Sequence, residues 1–427
     1  MQICLSAPLA CGDTAGVSEI RFYYDVVCPY AYLASTQIEA AAARAGATVS
    51  WRPVLLGGLF RAVKAPQLPA AAMNAPRARH NLLDMYRFAD RWGVDLTMPA
   101  AHPRRSVEAM RLLVAVGEGP LRRALTAALY RAYWGQGRDI SDRSVLDTIA
   151  REHGVDPALI DDPKARAGLF ESTAEAAALG AFGVPTFAVG NKIWWGQDRL
   201  PLVEEALGHR QRRPAEGLGS APLSGVTIDF FHDFASPYAY LAAEPIKGIA
   251  AAYGATLRWR PILLGALFRE LGTPDVPLFV QSPEKQRYIR RDLEDWAQYW
   301  GVPFRFPSHF PLRSIAPLRA ALVDPGLVQP LYRAIWSEDQ AVDDLQVLAE
   351  VIAASGRDPA PILASIRSPE IKSHLRENTA AAQAAGCCGV PSMVVTPAEG
   401  EQPILLWGQD RLAMLEWVLQ GWRPPRG

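Results

Sequence analysis

The chain has 427 residues, too many for one ordinary core; at roughly 150 residues per domain it divides into two to four units. Its 44 basic residues balance 44 acidic ones, which leaves no electrostatic footprint for a nucleic acid or an anionic membrane. It is 49% apolar and 21% charged, the composition of a soluble globular protein, and no apolar run approaches the roughly 18 residues that span a bilayer.

Residues 1–17 have no Lys or Arg before a weakly apolar stretch, so they make a poor secretory signal and read as a loose leader. "EIRFYYDVV" (19–27) is β-branched and aromatic, and predicts a strand. A turn containing Cys28 and Pro29 follows, then an Ala-rich helix, "YLASTQIEAAAARAG" (32–46), ended by Gly46. "TVSWRPVLL" (48–56) predicts a second strand. More than 100 residues of helical periodicity come next, such as "RARHNLLDMYRFADRWG" (77–93) and "VLDTIAREHG" (145–154). "GVPTFAVGNKIWWG" (183–196) reads as two strands about a turn, and "DRLPLVEEALG" (198–208) as a closing helix.

The same sentence is then repeated. "DVVCPYAY" (25–32) returns as "DFASPYAY" (233–240) and "WRPVLLGGLF" (51–60) as "WRPILLGALF" (259–268), both at an offset of 208 residues. The offset falls to 202 at "LYRAYW" (129–134) and "LYRAIW" (331–336), which marks a six-residue deletion. "GVPTF" (183–187) then matches "GVPSM" (389–393), and "WGQDRL" (195–200) matches itself at 407–412. Order kept over so long a stretch is a tandem duplication of whole domains. The expected domains are 18–208, with a helical insertion at about 58–180, and 226–422, with one at about 266–386. Between them "HRQRRPAEGLGSAPLSG" (209–225), rich in Arg, Pro, Gly and Ser, reads as a linker. Each half is then a small α/β sheet split by an all-helical insertion.

An aromatic-ended strand running into C/S-P-Y, a late G-V-P and a final W-G-Q-D-R-L, in this order and spacing, resemble the thioredoxin-fold proteins of the DsbA family. Within that family the chain is most similar to kappa-class glutathione transferases and 2-hydroxychromene-2-carboxylate isomerases. The resemblance implies two tandem thioredoxin-like domains and glutathione as cofactor. It places Pro29, Tyr30, Val184, Pro185, Gln197 and Asp198 around the tripeptide in the first half. Their counterparts in the second are Pro237, Tyr238, Val390, Pro391, Gln409 and Asp410. It also implies cis Val184–Pro185 and Val390–Pro391 bonds, whose exposed valine backbone would pair with glutathione as a short added strand. The fused halves could then pair internally as two subunits of such relatives do.

Cys28 and Ser236 occupy the catalytic position, at a helix start where free N–H groups and the dipole favour negative charge. Ser236 is suited to donate its hydroxyl proton to a bound glutathione sulfur; as a plain residue it is a helix N-cap. Cys28 suits attack on a disulfide or electrophile, or else it is a buried small hydrophobe. Ala31 and Ala239 stand where a resolving cysteine would be, so neither half is a dithiol oxidase. Asp198 and Asp410 either receive the γ-glutamyl ammonium or cap the closing helix. Arg105 and Arg313 either clamp a carboxylate of glutathione or substrate or are solvated surface groups. Trp92, Trp134, Trp300 and Trp336 are candidate pocket liners, with core packing the alternative.

Cys387–Cys388 has no counterpart in the first half, which has Ala181–Phe182 there. The pair either sits near the pocket as a redox-sensitive group or packs, and packing is the default because adjacent cysteines rarely bond to each other. Five cysteines without a CxxC pair favour a reducing compartment, the cytoplasm. The histidines show no ligand spacing, so no metal is expected. The reading is a cytoplasmic glutathione-dependent isomerase or transferase acting on a small, aromatic, electrophilic compound. The alternatives are a monothiol oxidoreductase working through a Cys28–glutathione mixed disulfide, and a non-catalytic thiol-binding module.

Overall fold

In the computed structural model the described residues are 18–67, 71, 73–214, 216, 225–397 and 401–425; the leader expected at 1–17 lies outside them. The first half opens with β1 (Glu19–Tyr24), α1 (Pro29–Ser35), α2 (Ile38–Arg44) and β2 (Thr48–Pro53). A helical block follows: α3 (Leu56–Ala62), α4 (Ala75–Trp92), α5 (Val107–Ala115), α6 (Pro120–Tyr130), α7 (Arg143–Glu152) and α8 (Pro163–Ala178). It closes with β3 (Thr186–Val189), β4 (Lys192–Trp195) and α9 (Leu200–Ala206). The second half repeats this as β5 (Thr227–His232), α10 (Pro237–Ala252), β6 (Thr256–Pro261), α11 (Leu264–Glu270) and α12 (Pro283–Trp300). It continues through α13 (Ile315–Val323), α14 (Val328–Trp336), α15 (Leu345–Ala354), α16 (Pro359–Ser365) and α17 (Pro369–Ala384), then β7 (Ser392–Thr396), β8 (Ile404–Trp407) and α18 (Leu412–Leu419).

The sheets have the orders β2-β1-β3-β4 and β6-β5-β7-β8, each with one parallel pair and two antiparallel ones. The parallel pair needs a crossover, which the first helix supplies. The central strands β1 and β5 bury Ile20, Phe22, Ile228 and Phe230 on one face and Tyr23 and Phe231 on the other, as a strand covered on both faces must. The first helix departs from expectation. In the first half it breaks at Thr36–Gln37, where Ser35 and Thr36 hydroxyls donate back to the carbonyls of Tyr32 (2.6 Å) and Leu33 (2.8 Å). Such bonds compete with the helical ladder. The second copy lacks both hydroxyls and keeps one helix, α10, even with Pro245 inside it. The six-residue deletion falls at the start of α6: a 3₁₀ turn, Pro325–Leu327, leads directly into α14.

The halves make reciprocal contacts. Helix α12 lies across the end of β4, where the Trp195 N–H donates to Tyr288 Oη at 2.9 Å and Arg291 donates to the Ile193 carbonyl at 2.8 Å. Helix α4 lies across the end of β8, where Arg87 donates to the Leu405 carbonyl at 2.7 Å. The described start of the linker is pinned to both halves: Gln211 donates to Glu204 (2.5 Å) and Arg212 to Glu416 (2.8 Å).

Candidate active site

The loop that follows the central strand is held the same way in both halves. Asp25 accepts the N–H groups of Val27 (3.2 Å) and Leu56 (2.9 Å), and Asp233 those of Ala235 (2.9 Å) and Leu264 (2.8 Å). Burial pushes both carboxyls up, and hydrogen bonds, including those from Ser106 and Ser314, oppose it. The indole N–H of Trp134 donates to the Val26 carbonyl at 2.9 Å, and that of Trp336 to the Phe234 carbonyl at 2.8 Å. These two tryptophans are wholly buried, so they brace the loop from the core rather than line a pocket.

This loop presents Cys28 and Ser236 as the N-cap residues of α1 and α10, both with extended backbone, ahead of Pro29 and Pro237. A proline at the first helical position removes only an N–H that has no partner anyway. Across from them Val184–Pro185 and Val390–Pro391 are cis. The Cys28 thiol donates to the Val184 carbonyl at 3.2 Å, and the Ser236 hydroxyl donates to the Val390 carbonyl, also at 3.2 Å. Ser236 Oγ also accepts the Ala239 N–H at 3.2 Å, so it caps the helix and donates at once. Both residues are buried, at 6% and 4% exposure. Burial pushes the Cys28 thiol up to about 12, against the backbone N–H groups of Ala31 and Tyr30. At neutral pH it is a protonated thiol. Gly183 and Gly389 keep this corner tight, since a Cβ there would meet the Trp195 indole nitrogen at 2.7 Å or that of Trp407 at 2.9 Å.

Gln197–Asp198 and Gln409–Asp410 lie in 3₁₀ turns, and neither aspartate caps its helix. Both belong to a cluster shared by the halves. Arg199 binds Asp198 (2.8 Å), Asp292 of α12 (3.0 Å) and Asp410 (2.7 Å). Arg411 binds Asp410 (3.1 Å), Asp84 of α4 (2.8 Å) and Asp198 (2.7 Å). Burial works against the Asp198 carboxylate, but the two guanidiniums hold it below its ordinary value. Tyr30 and Tyr238 are close enough to this cluster to feel its charges, and burial raises both phenols. Gln409 is 1% exposed; its Oε1 accepts the Trp300 indole N–H at 3.0 Å, while its Nε2 has no partner among the described residues.

Arg105 is exposed and paired with Glu108 at 2.8 Å, and Arg313 is exposed as well. Trp92 and Trp300 are partly buried. Cys387 and Cys388 are buried and free, and burial pushes them up to about 11 and about 12. Sequence reasoning gave no role to Asp25, Asp233, Asp84 or Asp292. A signal was there: each acidic residue recurs at the 208-residue offset. Among the described residues no metal-ligand cluster is found, and no helix is long and apolar enough to cross a membrane.

A sequence model of the DSBA-like thioredoxin domain matches residues 19–208 and 227–420. The chain therefore belongs to the DSBA-like thioredoxin family and carries its domain twice. Among its curated relatives, glutathione S-transferase kappa 2 of Caenorhabditis elegans is 31% identical over 43% of this chain and 88% of its own length. The 2-hydroxychromene-2-carboxylate isomerase of Pseudomonas putida is 31% identical over 44% of this chain and 92% of its own. Both relatives are enzymes by name. A solved 2-hydroxychromene-2-carboxylate isomerase is 27% identical and covers 46% of this chain and 95% of its own, with a TM-score of 0.41. Each such match spans about one half of the duplication.

Proposed function

We propose that the protein is a cytoplasmic glutathione-dependent isomerase or transferase acting on a small, aromatic, electrophilic compound. The observation that carries this reading is the Ser236 hydroxyl, held at the mouth of α10 and directed at the backbone of a cis Val–Pro corner. The residues present fit glutathione. Gln409 Nε2 is a buried donor in want of an acceptor, and such a group costs about 1–3 kcal/mol when left unsatisfied. The shared cluster sets the carboxyls of Asp84, Asp198, Asp292 and Asp410 against two guanidiniums, burial pushing Asp292 up, and its carboxylates suit an α-ammonium group.

Glutathione, when bound, supplies a thiolate able to add to an unsaturated carbon and leave again. Ser236 turns its proton from the Val390 carbonyl to the sulfur, while the N–H groups at the start of α10 favour negative charge there. The valine backbone beside Ser236, at Val390, orients the tripeptide, and the carboxylates of the shared cluster, Asp198 and Asp410, face its γ-glutamyl end. The reciprocal contacts of α4 and α12 support reading the chain as a fused pair of subunits. The Cys28 mixed-disulfide reading has less support, because a buried protonated thiol is a poor nucleophile.

Calorimetric titration of glutathione, with turnover of an aromatic electrophile, tests the proposal on wild type, Cys28→Ala and Ser236→Ala. Ser236→Ala is expected to lower kcat by about 100-fold, the effect of losing one donor to a developing anion, with Cys28→Ala close to wild type. The reverse order would favour the oxidoreductase, and binding without turnover in all three would favour a thiol-binding module without catalysis.

A further inference from the structure

The two sites occupy equivalent places but are not walled alike, and in each one side of the wall comes from the other half. At the first site Phe182 packs on Trp195 and on Tyr288 of α12, with ring centroids 4.9 and 5.2 Å apart. The Tyr288 hydroxyl is used up within the fold: it accepts the Trp195 N–H at 2.9 Å and donates to Asp292 at 3.1 Å. At the second site the place of Phe182 is taken by Cys388, and that of Tyr288 by His80 of α4. A bulky ring becomes a thiol, and a phenol becomes a smaller imidazole. His80 stands edge-on to Trp407 with centroids 5.4 Å apart, and Asp84, one turn on, binds Arg411 at 2.8 Å. This fixes the helix face carrying His80 over the Trp407–Arg411 turn.

His80 is 5% exposed and makes no hydrogen bond to any described residue. Burial, with Arg87 and Arg411 adding to it, holds its imidazole down to about 3, so it is neutral with one N–H and one lone pair to offer. Gln409 Nε2, in the Trp407–Arg411 turn, is a buried polar atom without a partner among the described residues. Buried polar groups in native structures are generally satisfied. A buried donor left unsatisfied, beside a ring whose nitrogens bond no described residue and where the flanking side chains are smaller than at the first site, points to a ligand that completes them.

We propose that ligand binding and turnover belong to the second-half site, that Cys388 and His80 give it the room, and that His80 positions the ligand through one hydrogen bond from across the half-to-half boundary. The first-half site, filled by Phe182 and Tyr288, is scaffold. This inference rests on the glutathione-dependent reading above.

The test is titration of the full chain with glutathione and with S-benzylglutathione, whose ring probes for space beside the sulfur. Wild type is expected to bind one S-benzylglutathione per chain. The double variant Cys388→Phe/His80→Tyr, which gives the second site the first site's wall, should bind none. The converse, Phe182→Cys/Tyr288→His, should bind two. Each swap installs residues the chain already carries at the equivalent position, and near-ultraviolet dichroism checks that the fold is kept. His80→Phe, which retains packing on Trp407, is expected to weaken both ligands about tenfold, close to one neutral hydrogen bond; His80→Gln should recover part of it. Two S-benzylglutathione molecules on wild type, or swaps that leave the number unchanged, overturn the inference and leave the glutathione reading intact. Failure of wild type to bind either ligand overturns both.

Discussion

His232 shows how far a single residue can diverge once its half is duplicated. It occupies the position of Tyr24, whose hydroxyl shares a 2.8 Å bond with Thr126. The Tyr332 hydroxyl donates to the Asp233 carbonyl at 3.3 Å, so its oxygen accepts from His232 Nδ1–H at 3.1 Å. That tautomer leaves Nε2 as a bare lone pair, and it has no partner among the described residues. Burial holds this imidazole down to about 3, whereas in the unfolded chain it titrates near 6.5. Between those values the unfolded state binds the extra proton, so stability falls as pH falls. Urea midpoints measured from about pH 7 to about pH 4 should drop steeply for wild type and less steeply for His232→Phe. Equal slopes would show that the ring is hydrated or paired in solution. Residues of this kind were hard to see in the sequence. Cys28 and Ser236 stood out because one register position changed chemistry, and Cys388 because it replaces Phe182; His80 did not, because its significance depends on which half it faces.

At the scale of elements, the corner formed by the G-V-P turn and the end of the β-hairpin sets the site's dimensions. Gly183 has an ordinary backbone conformation, so its requirement is space: a methyl group there would press on the Trp195 indole at 2.7 Å. Gly183→Ala is expected to cost about 1–3 kcal/mol through overpacking, read as a lower denaturation midpoint with the Trp195 environment altered. A neutral effect would mean that the indole turns aside freely. Strands, the G-V-P turns and most helices were legible from periodicity and punctuation. The break between α1 and α2 was not, because it depends on two hydroxyls choosing carbonyls one turn back over solvent.

At the scale of the molecule, the two halves are joined by charge as well as by apolar surface. Arg199 alone bonds three aspartates drawn from both halves. Removing one partner from a buried ion network leaves charge uncompensated, at a cost of about 3–5 kcal/mol. Arg199→Met should therefore lower stability by about that much and loosen both halves together, seen as a single earlier unfolding transition. Unfolding in two separate steps, with the first half alone affected, would contradict the coupling. The sequence by itself determined the duplication, the two α/β domains and the pair of residues at the helix mouths, because local periodicity and a repeated order of motifs carry these, and the family followed from the resemblance of those motifs. Only the tertiary structure decided that Asp198 and Asp410 share two arginines, that two predicted pocket tryptophans are core braces, and that Trp195 and Trp407 are each packed by a helix of the other half. Those are contacts between residues some 90 to 330 positions apart, and no pattern within one segment encodes what a distant helix brings against it.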